Sequence, residues 1–392
     1  MRIIKQGETE LVELTASYNR VLAEDLRADY DVPGFDRSPY DGYALRSQDT
    51  SDQTPVFFEV VGHIGAGSVY ESYLEAKQAV RIMTGAAIPR GADAVIMLED
   101  VTSFAEHEKT FVSINKKLYH HQNISFQGED VKKGNVLVEK GTVINPGIIA
   151  LLATFGYAKV PVKKKPVIGV IATGSELLEV DQPLEPGKIR NSNAYMIISQ
   201  LDRAGAIATY YGQLTDDVQE SLTKITSVID EVDYLITTGG VSVGDFDLLP
   251  EIYQHLEADV LFNKVAMRPG SVTTVAKMKD KLLFGLSGNP SACYVGFELF
   301  TKPVIDYFLE KHEIGNEKQV AILSEDFSKK NPFDRFIRGY YYLEDGKLYA
   351  GPAGKDKSNM VHSLAKVNCF IHLPGGDRGY KTGDRVNIHL LT

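Results

Sequence analysis

Three short glycine-rich segments carry the chemistry open to this sequence: Thr173-Gly174-Ser175-Glu176-Leu177, Gly239-Gly240-Val241-Ser242-Val243-Gly244-Asp245 and Ser287-Gly288-Asn289-Pro290-Ser291. Glycine lets backbone N–H groups approach a phosphate closely, and a helix starting just past the turn adds partial positive charge. One such loop means little, because turns need glycine anyway. Three on one sheet edge predict an anion- or nucleotide-binding crevice. None continues into the Gly-Lys-Ser/Thr of a Walker A loop, and none is a Gly-x-Gly-x-x-Gly fingerprint, which disfavours ordinary NTPases and dehydrogenases.

Carboxylates gather in the same stretches. Glu176 follows the first loop, Asp216 and Asp217 follow an apolar run ending at Leu214, and Asp245 and Asp247 follow the second loop. Mg²⁺ takes one or two carboxylates and fills its shell with phosphate oxygens and water. Helix capping is the plainer role for any of these acids; Asp217 reads as a cap, and Glu176 and Asp247 are the better metal candidates. A cationic element lies at Lys264-Val265-Ala266-Met267-Arg268-Pro269-Gly270, where Lys264 and Arg268 either hold an oxyanion or are simply solvated. Two further segments are dense in acids, small residues, proline and aromatics: Asp31 to Ala44, which includes Asp41, and Arg81 to Asp93, which includes Thr84. Both predict shaped loops. The histidines show no metal-binding spacing, and the adjacent His120 and His121 are expected to point apart on a strand.

The elements that must position these residues follow from periodicity. Pro166 to Ala172, Asp233 to Thr238 and Lys281 to Leu286 are apolar on both faces, as buried parallel strands are. Between them Ala194, Ile197, Ile198, Leu201 and Ala204 share one helical face. That helix could be capped by Asn191, Ser192 or Asn193 and ended by Gly205. Val218, Leu222, Ile225, Ile229 and Val232 form a second helical face. Alternating strand and helix imply βαβ units. Residues 315–392 alternate as strands, with a hairpin turn at Glu344-Asp345-Gly346-Lys347; residues 27–125 also read mainly as strands, with Leu74 to Val80 ambiguous. Residues 8–26 and Pro146 to Gly156 are expected to be two helices of one further unit, and Lys163-Lys164-Lys165 a solvated linker.

A chain of 392 residues predicts several domains. Its net charge of −10 argues against a general nucleic-acid binder. No apolar run reaches the ~18 residues of a membrane helix. The N-terminal residues lack a secretory h-region, and Cys293 and Cys369 form no CxxC, so a cytoplasmic protein with free thiols is expected.

Taken in order, Asp31–Ser38 with Asp41–Ala44, Arg81–Ala86, Thr173–Leu177, Gly239–Gly244 and Gly285–Pro290 resemble the molybdopterin molybdotransferase family, that is, the bacterial MoeA proteins and the E domain of gephyrin. The resemblance runs end to end. It implies a multidomain α/β plus β architecture. An elongated N-terminal linking domain (1–26 and 128–162) is interrupted by a β-rich domain (27–127). An α/β molybdopterin-binding domain (163–312) and a small C-terminal β-barrel-like domain (313–392) follow. It further implies a homodimer with an inter-subunit site and Mg²⁺-dependent cleavage of adenylylated molybdopterin. Molybdate is inserted, and AMP and molybdenum cofactor are released.

On this resemblance Glu176, Asp216, Asp247, Lys264, Arg268 and Asp41 are the catalytic set, with Glu176 and Asp247 at the metal. Thr84, Gly174, Ser175, Gly239, Gly240, Ser242, Gly244, Ser287, Gly288, Asn289 and Pro290 are the ligand-binding set. Molybdopterin adenylyltransferase and molybdoenzyme maturation proteins are candidate partners; nucleic acid and membrane are not. Departures stand at Tyr40 (often Met), Arg268 (commonly Lys), Ser271 (often Lys) and Ser287 (commonly Pro). Arg338 and Ser358 or Ser363 match loosely. The rival readings are the adenylyltransferase, which resembles the α/β domain alone, and a non-enzymatic scaffold.

Overall fold

Ile168, Val170, Ile236, Phe284 and Leu286 are buried to within 1% of complete exclusion, and the strands that carry them pair side by side. Val167–Thr173 runs parallel to Tyr234–Thr238, which runs parallel to Lys281–Leu286; Ile207–Leu214 joins the outer edge of the first, also parallel. Thr274–Met278 and Asp259–Phe262 extend the other side antiparallel, making a six-stranded sheet. Helices cover both faces. Asn193–Ala204 and the continuous helical stretch Pro290–Phe308 pack on one core, while Val218–Ile229 and Leu249–His255 pack on the other. The computed structural model describes residues 4–215, 217–240, 249–330, 332–376 and 379–391.

The helix boundaries have local causes. Asp217 caps the helix from Val218 by accepting from the Glu220 N–H at 2.8 Å, as its sequence position predicts. Gly205 ends the helix from Asn193 in the left-handed conformation, φ 92°. Asn191, not the Ser192 side chain, supplies an acceptor there, at 3.2 Å from the Ala194 N–H.

C-terminal to this sheet, Lys318–Leu323, Asp334–Glu344, Lys347–Pro352, Cys369–Leu373 and Arg385–Leu390 pair in a closed ring, a five-stranded barrel. The hairpin turns at Asp345 (φ 47°) and Gly346 (φ 72°), the left-handed pair that a tight two-residue turn needs. One short strand leaves the α/β sheet to join the barrel: Met267–Arg268 pairs parallel with Asp334–Arg335.

The chain divides into two compact units, Met1–Glu24 with Lys140–Ala150 and Ala158–Thr392, and Asp25–Glu139 with Leu151–Tyr157. Within the second unit a six-stranded sheet runs in the order Ala94–Met97, Gly42–Leu45, Gln78–Ile82, Val56–Ile64, Lys109–Ile114, Thr102–Glu106. The ambiguous stretch thus resolves into a strand from Gln78. Within this sheet Gly42 meets its neighbour so closely that a Cβ would lie 2.0 Å from the Ile96 carbonyl oxygen.

Three expectations are corrected. Residues 8–26 are not a helix: Thr9–Glu13 pairs antiparallel with Lys159–Lys163, and Val21 and Leu22 bridge to Val143 and Val162. Apolar residues this sparse serve a strand as well as a helix, and the pairing partner decides. Lys163 is no solvated linker. It is 8% exposed and donates to Glu310 at 2.6 Å. His120 and His121 lie in a turn with their ring centroids 3.7 Å apart, not on a strand, because His121 takes φ 68°.

Asp306, fully buried, accepts from Lys302 (2.7 Å), Lys311 (2.8 Å) and the Gly315 N–H (3.0 Å). Asp306→Ala strands two lysines that are themselves mostly shielded from water, so a loss of about 3–5 kcal/mol is expected in urea unfolding. In the barrel, burial, with the nearby His372 and Lys318, lowers the His389 pKa from 6.5 to about 4. The unfolded chain therefore takes up a proton that the fold refuses, and stability falls as pH drops from about 6.5 to about 4. Unfolding curves at pH 7 and pH 5 check this, and His389→Gln is expected to flatten the slope across that window.

Candidate active site

The parallel register puts the C-terminal ends of three strands level: Ala172 pairs with Thr238, and Thr238 with Leu286. Ligand crevices of open α/β sheets form outside such ends. Here the loops are pressed together. The Thr173 hydroxyl donates to the Thr238 carbonyl at 3.1 Å, and the Gly239 N–H to the Leu286 carbonyl at 2.8 Å. Gly239 has φ 95°, and a Cβ there would sit 2.6 Å from the Thr173 hydroxyl oxygen, so position 239 requires glycine. Asn193 Nδ2 donates to the Gly288 carbonyl at 2.8 Å, while its buried Oδ1 has no partner among the described residues.

Between these loops lies a small cavity of ≈ 70 Å³ lined by Thr173, Glu176, Arg190, Asn193, Thr238 and Gly288, among others. Glu176 folds its carboxylate over Gly174, where a Cβ would meet Oε2 at 2.5 Å. That carboxylate has no hydrogen bond or ion pair among the described residues. The structure thus brings together Gly174, Ser175, Glu176, Gly239, Gly240, Ser287, Gly288, Asn289 and Pro290. Asp216, Ser242, Gly244 and Asp247 lie outside the described residues.

On the other side of the Ser287–Pro290 loop is a larger cleft of ≈ 430 Å³, walled by the α/β domain through Arg268, Ser271 and Asn289 and by the barrel through Lys329, Arg335 and Ser358. Ser291 latches the barrel loop to this wall, its N–H donating to the Ser358 carbonyl (3.0 Å) and its hydroxyl to the Met360 carbonyl (2.8 Å). Lys264 is exposed and lines neither cavity, so the two cations of that segment part company.

Sequence reasoning missed Lys329, Arg335 and Asp356 in this cleft. Arg335 shares a strand face with the buried Ile337, and a cation at a core-facing position was the available signal. Arg338 is buried and holds the loop of the cleft in place: its Nε donates to Ser363 Oγ at 3.1 Å and its Nη2 to the Lys355 and Lys357 carbonyls at 3.1 Å.

In the second unit, Asp41 Oδ1 accepts from both the Thr84 N–H (2.7 Å) and the Thr84 hydroxyl (2.8 Å). Those two bonds, with the nearby Arg81 charge, hold the Asp41 carboxyl below its ordinary pKa. Ser38 accepts the Gly85 N–H at 2.8 Å and donates its own N–H to Ala86, so the two shaped loops are joined into one module. Asp31 and Asp36 are spent on backbone, accepting from the Lys133 and Gln127 N–H groups at 2.8 Å. Both cysteines are buried. Burial pushes the Cys293 thiol well up and the Cys369 thiol up to about 12, which leaves neither a ready nucleophile.

The fold and its strand-end loops define the class. Residues 169–307 match a family model described as "Probable molybdopterin binding domain", residues 1–156 the "MoeA N-terminal region (domain I and II)", and residues 320–391 the "MoeA C-terminal region (domain IV)". A protein named molybdopterin molybdenumtransferase from Bacillus subtilis (strain 168) is 58% identical over 390 residues, 99% of this chain and 91% of that one. One of the same name from Staphylococcus aureus (strain COL) is 52% identical over 382 residues, 97% and 90% of the two chains. The crystal structure of the molybdopterin biosynthesis moeA protein from Pyrococcus horikoshii OT3 superposes with a TM-score of 0.83 at 31% identity, covering 100% of this chain and 97% of that one. This chain belongs to the molybdopterin molybdenumtransferase (MoeA) family, and it is a transferase.

The Asp41–Thr84 bonds lie at an exposed loop junction and not in the core, so their loss is expected to alter the geometry of the module and leave the fold intact. Asp41→Ala is expected to lower kcat about 10²-fold, the scale of a misplaced positioning group, and Thr84→Val, which keeps the backbone donor, by less. Steady-state turnover alongside circular dichroism checks both.

Proposed function

We propose that the protein transfers molybdate into molybdopterin, with adenylylated molybdopterin as the activated substrate and AMP as the leaving product. The observation that carries this reading is the Glu176 carboxylate, unpartnered among the described residues, at a crevice built from three strand ends. An unspent carboxylate beside glycine loops suits a phosphoanhydride held with Mg²⁺. Among the described residues no three His, Cys, Asp or Glu side chains converge on a metal site. Mg²⁺ suits Glu176 at such a crevice, since it binds one or two carboxylates and takes the rest of its shell from phosphate and water. Glu176 and Asp247 would hold it, and when bound it neutralises the bridging phosphate oxygens.

The protein's own residues supply position and charge. Gly174, Ser175, Gly239, Gly240, Ser242, Gly244, Gly288 and Asn289 offer the donors and the close approach that a nucleotide phosphate needs. A water oxygen attacks the adenylyl phosphorus, the P–O bond to the pterin phosphate breaks, the pterin keeps its phosphate, and AMP is released carrying the water's oxygen while the water's proton goes to solvent. Arg268 stabilises oxyanion charge from the larger cleft, and Asp216 completes the acidic set. The dithiolene sulfurs that receive molybdenum belong to the substrate, which agrees with the inert cysteines. The reading extends to a homodimer in which Asp41 and Thr84 form the partner wall of the site. It also extends to the four-part domain division at residues 26–27, 127–128, 162–163 and 312–313.

Purified protein, adenylylated molybdopterin, Mg²⁺ and molybdate are expected to give molybdate-dependent AMP release. That release is expected to vanish in Glu176→Ala and Asp247→Ala and on chelation of Mg²⁺. Tight binding of the adenylate with no AMP release under any oxyanion would overturn the reading and leave a carrier.

A further inference from the structure

We infer that Arg190 is the guanidinium that holds the adenylyl phosphate in the strand-end cavity, across from Glu176, with the Ser192 hydroxyl as a second donor. The inference rests on the proposed function for the identity of that phosphate and deepens it.

Arg190 and Glu176 reach one cavity through the loop that joins the strand Val167–Thr173 to the helix Asn193–Ala204. Within that loop Leu177–Leu178 pairs parallel with Ile189–Arg190. The Ile189 N–H donates to the Glu176 carbonyl at 2.9 Å, and the Asn191 N–H to the Leu178 carbonyl at 2.8 Å. Asn191, 2% exposed, fastens the end of the loop to the sheet. Its Nδ2 donates to the Tyr210 hydroxyl at 2.9 Å, and that hydroxyl donates to Glu179 at 2.8 Å. The backbone that carries both charges is thereby held in place.

Among the described residues that line the cavity, Glu176 is the one acid and Arg190 the one base. Opposite charges on a cavity of ≈ 70 Å³ ordinarily pair, and these two do not. The guanidinium is held back by its own loop. Arg190 Nε and Nη2 donate to the Gln182 carbonyl at 3.3 and 3.1 Å, which leaves Nη1 without a partner among the described residues. An unspent carboxylate and an unspent guanidinium on one small cavity fit a ligand with a cationic end and an anionic end. A phosphate oxygen at Arg190, with Mg²⁺ on the side of Glu176, is such a ligand.

Two observations at the start of the helix point the same way. Ser192 stands at the N-cap, yet its hydroxyl makes no capping bond and has no partner among the described residues. It is therefore available to a phosphate oxygen where the helix dipole favours negative charge. Asn193 is 8% exposed and lines the cavity, and its Oδ1 is the buried acceptor left unmet there. A buried acceptor without a donor costs free energy, as is tolerated where a ligand brings the donor. The cavity has room for a phosphoryl group and none for a base, so Arg190 reads the phosphate alone.

AMP and adenosine, which differ by that phosphate, are the probes. Each is titrated calorimetrically into the full-length protein, with and without Mg²⁺, for wild type, Arg190→Gln, Arg190→Lys and Ser192→Ala. AMP release from adenylylated molybdopterin is followed in parallel. Wild type is expected to bind AMP about tenfold or more tightly than adenosine. Arg190→Gln is expected to raise the AMP Kd about tenfold whether or not Mg²⁺ is present, and to leave the adenosine Kd unchanged. Arg190→Lys, which keeps the charge and loses the fork, is expected to recover part of the loss. Ser192→Ala is expected to raise the AMP Kd about threefold. Both side chains are exposed, so the variants are expected to fold, and thermal melts check this.

An Arg190→Gln protein with the wild-type AMP Kd, or one that weakens adenosine equally, overturns the inference. So does a wild type with no preference for AMP. An unchanged AMP Kd in Ser192→Ala overturns the role of the hydroxyl. Titration needs no turnover, so a wild type that binds AMP through Arg190 but releases none from the adenylate would sink the proposed function and leave the assignment of Arg190 standing.

Discussion

The crevice depends on the parallel pairing of Val167–Thr173, Tyr234–Thr238 and Lys281–Leu286. Parallel strands all end on the same side, so the loops that follow them meet at one edge whatever their separation in sequence. Thr173, Gly239 and Gly288 are brought together this way. A one-residue slip in either pairing would part the Thr173 hydroxyl from the Thr238 carbonyl and turn buried side chains toward the opposite face. Burial on both faces, with helices on each, is what holds the register.

A second constraint follows from the first. The antiparallel strands Asp259–Phe262 and Thr274–Met278 leave a connecting segment that turns back on itself, with the Val265 N–H donating to the Ser271 carbonyl at 2.9 Å. That segment carries Met267–Arg268 into the barrel's hydrogen bonding. The α/β sheet and the barrel are thereby joined by backbone pairing, and their facing walls enclose the larger cleft. Charge is distributed accordingly. The carboxylate of Glu176 faces the small strand-end cavity, while Arg268, Lys329 and Arg335 face the neighbouring one, with the Ser287–Pro290 loop between.

Buried polar groups elsewhere maintain these walls. Glu298, 1% exposed, accepts from Gln200 at 2.6 Å, from Arg203, and from Asn316 at 3.2 Å, tying the helix Asn193–Ala204 to the stretch that begins at Pro290. Asp306 does the same for the last turn of that stretch. Buried carboxylates of this kind are costly to desolvate, and they persist here because every one of their partners is in place.

By itself the sequence determined the elements whose signal is local: the doubly apolar strands, the helices with their Asp217 cap and Gly205 stop, the Asp345-Gly346 hairpin, and the glycine loops that supply most of the strand-end crevice. Each of these depends on a backbone propensity or a short periodicity, which neighbours in the chain are enough to express. Only the tertiary structure decided the rest. Thr9–Glu13 is a strand because Lys159–Lys163 lies beside it, and Lys163 is buried because Glu310 meets it there. Arg335 enters the Arg268 cleft because a two-residue pairing joins positions 67 apart in sequence (268 to 335), and nothing local to either arginine encodes the other. Long-range pairing chooses which residues face one another, and so the charge of the larger cleft became visible only in the fold.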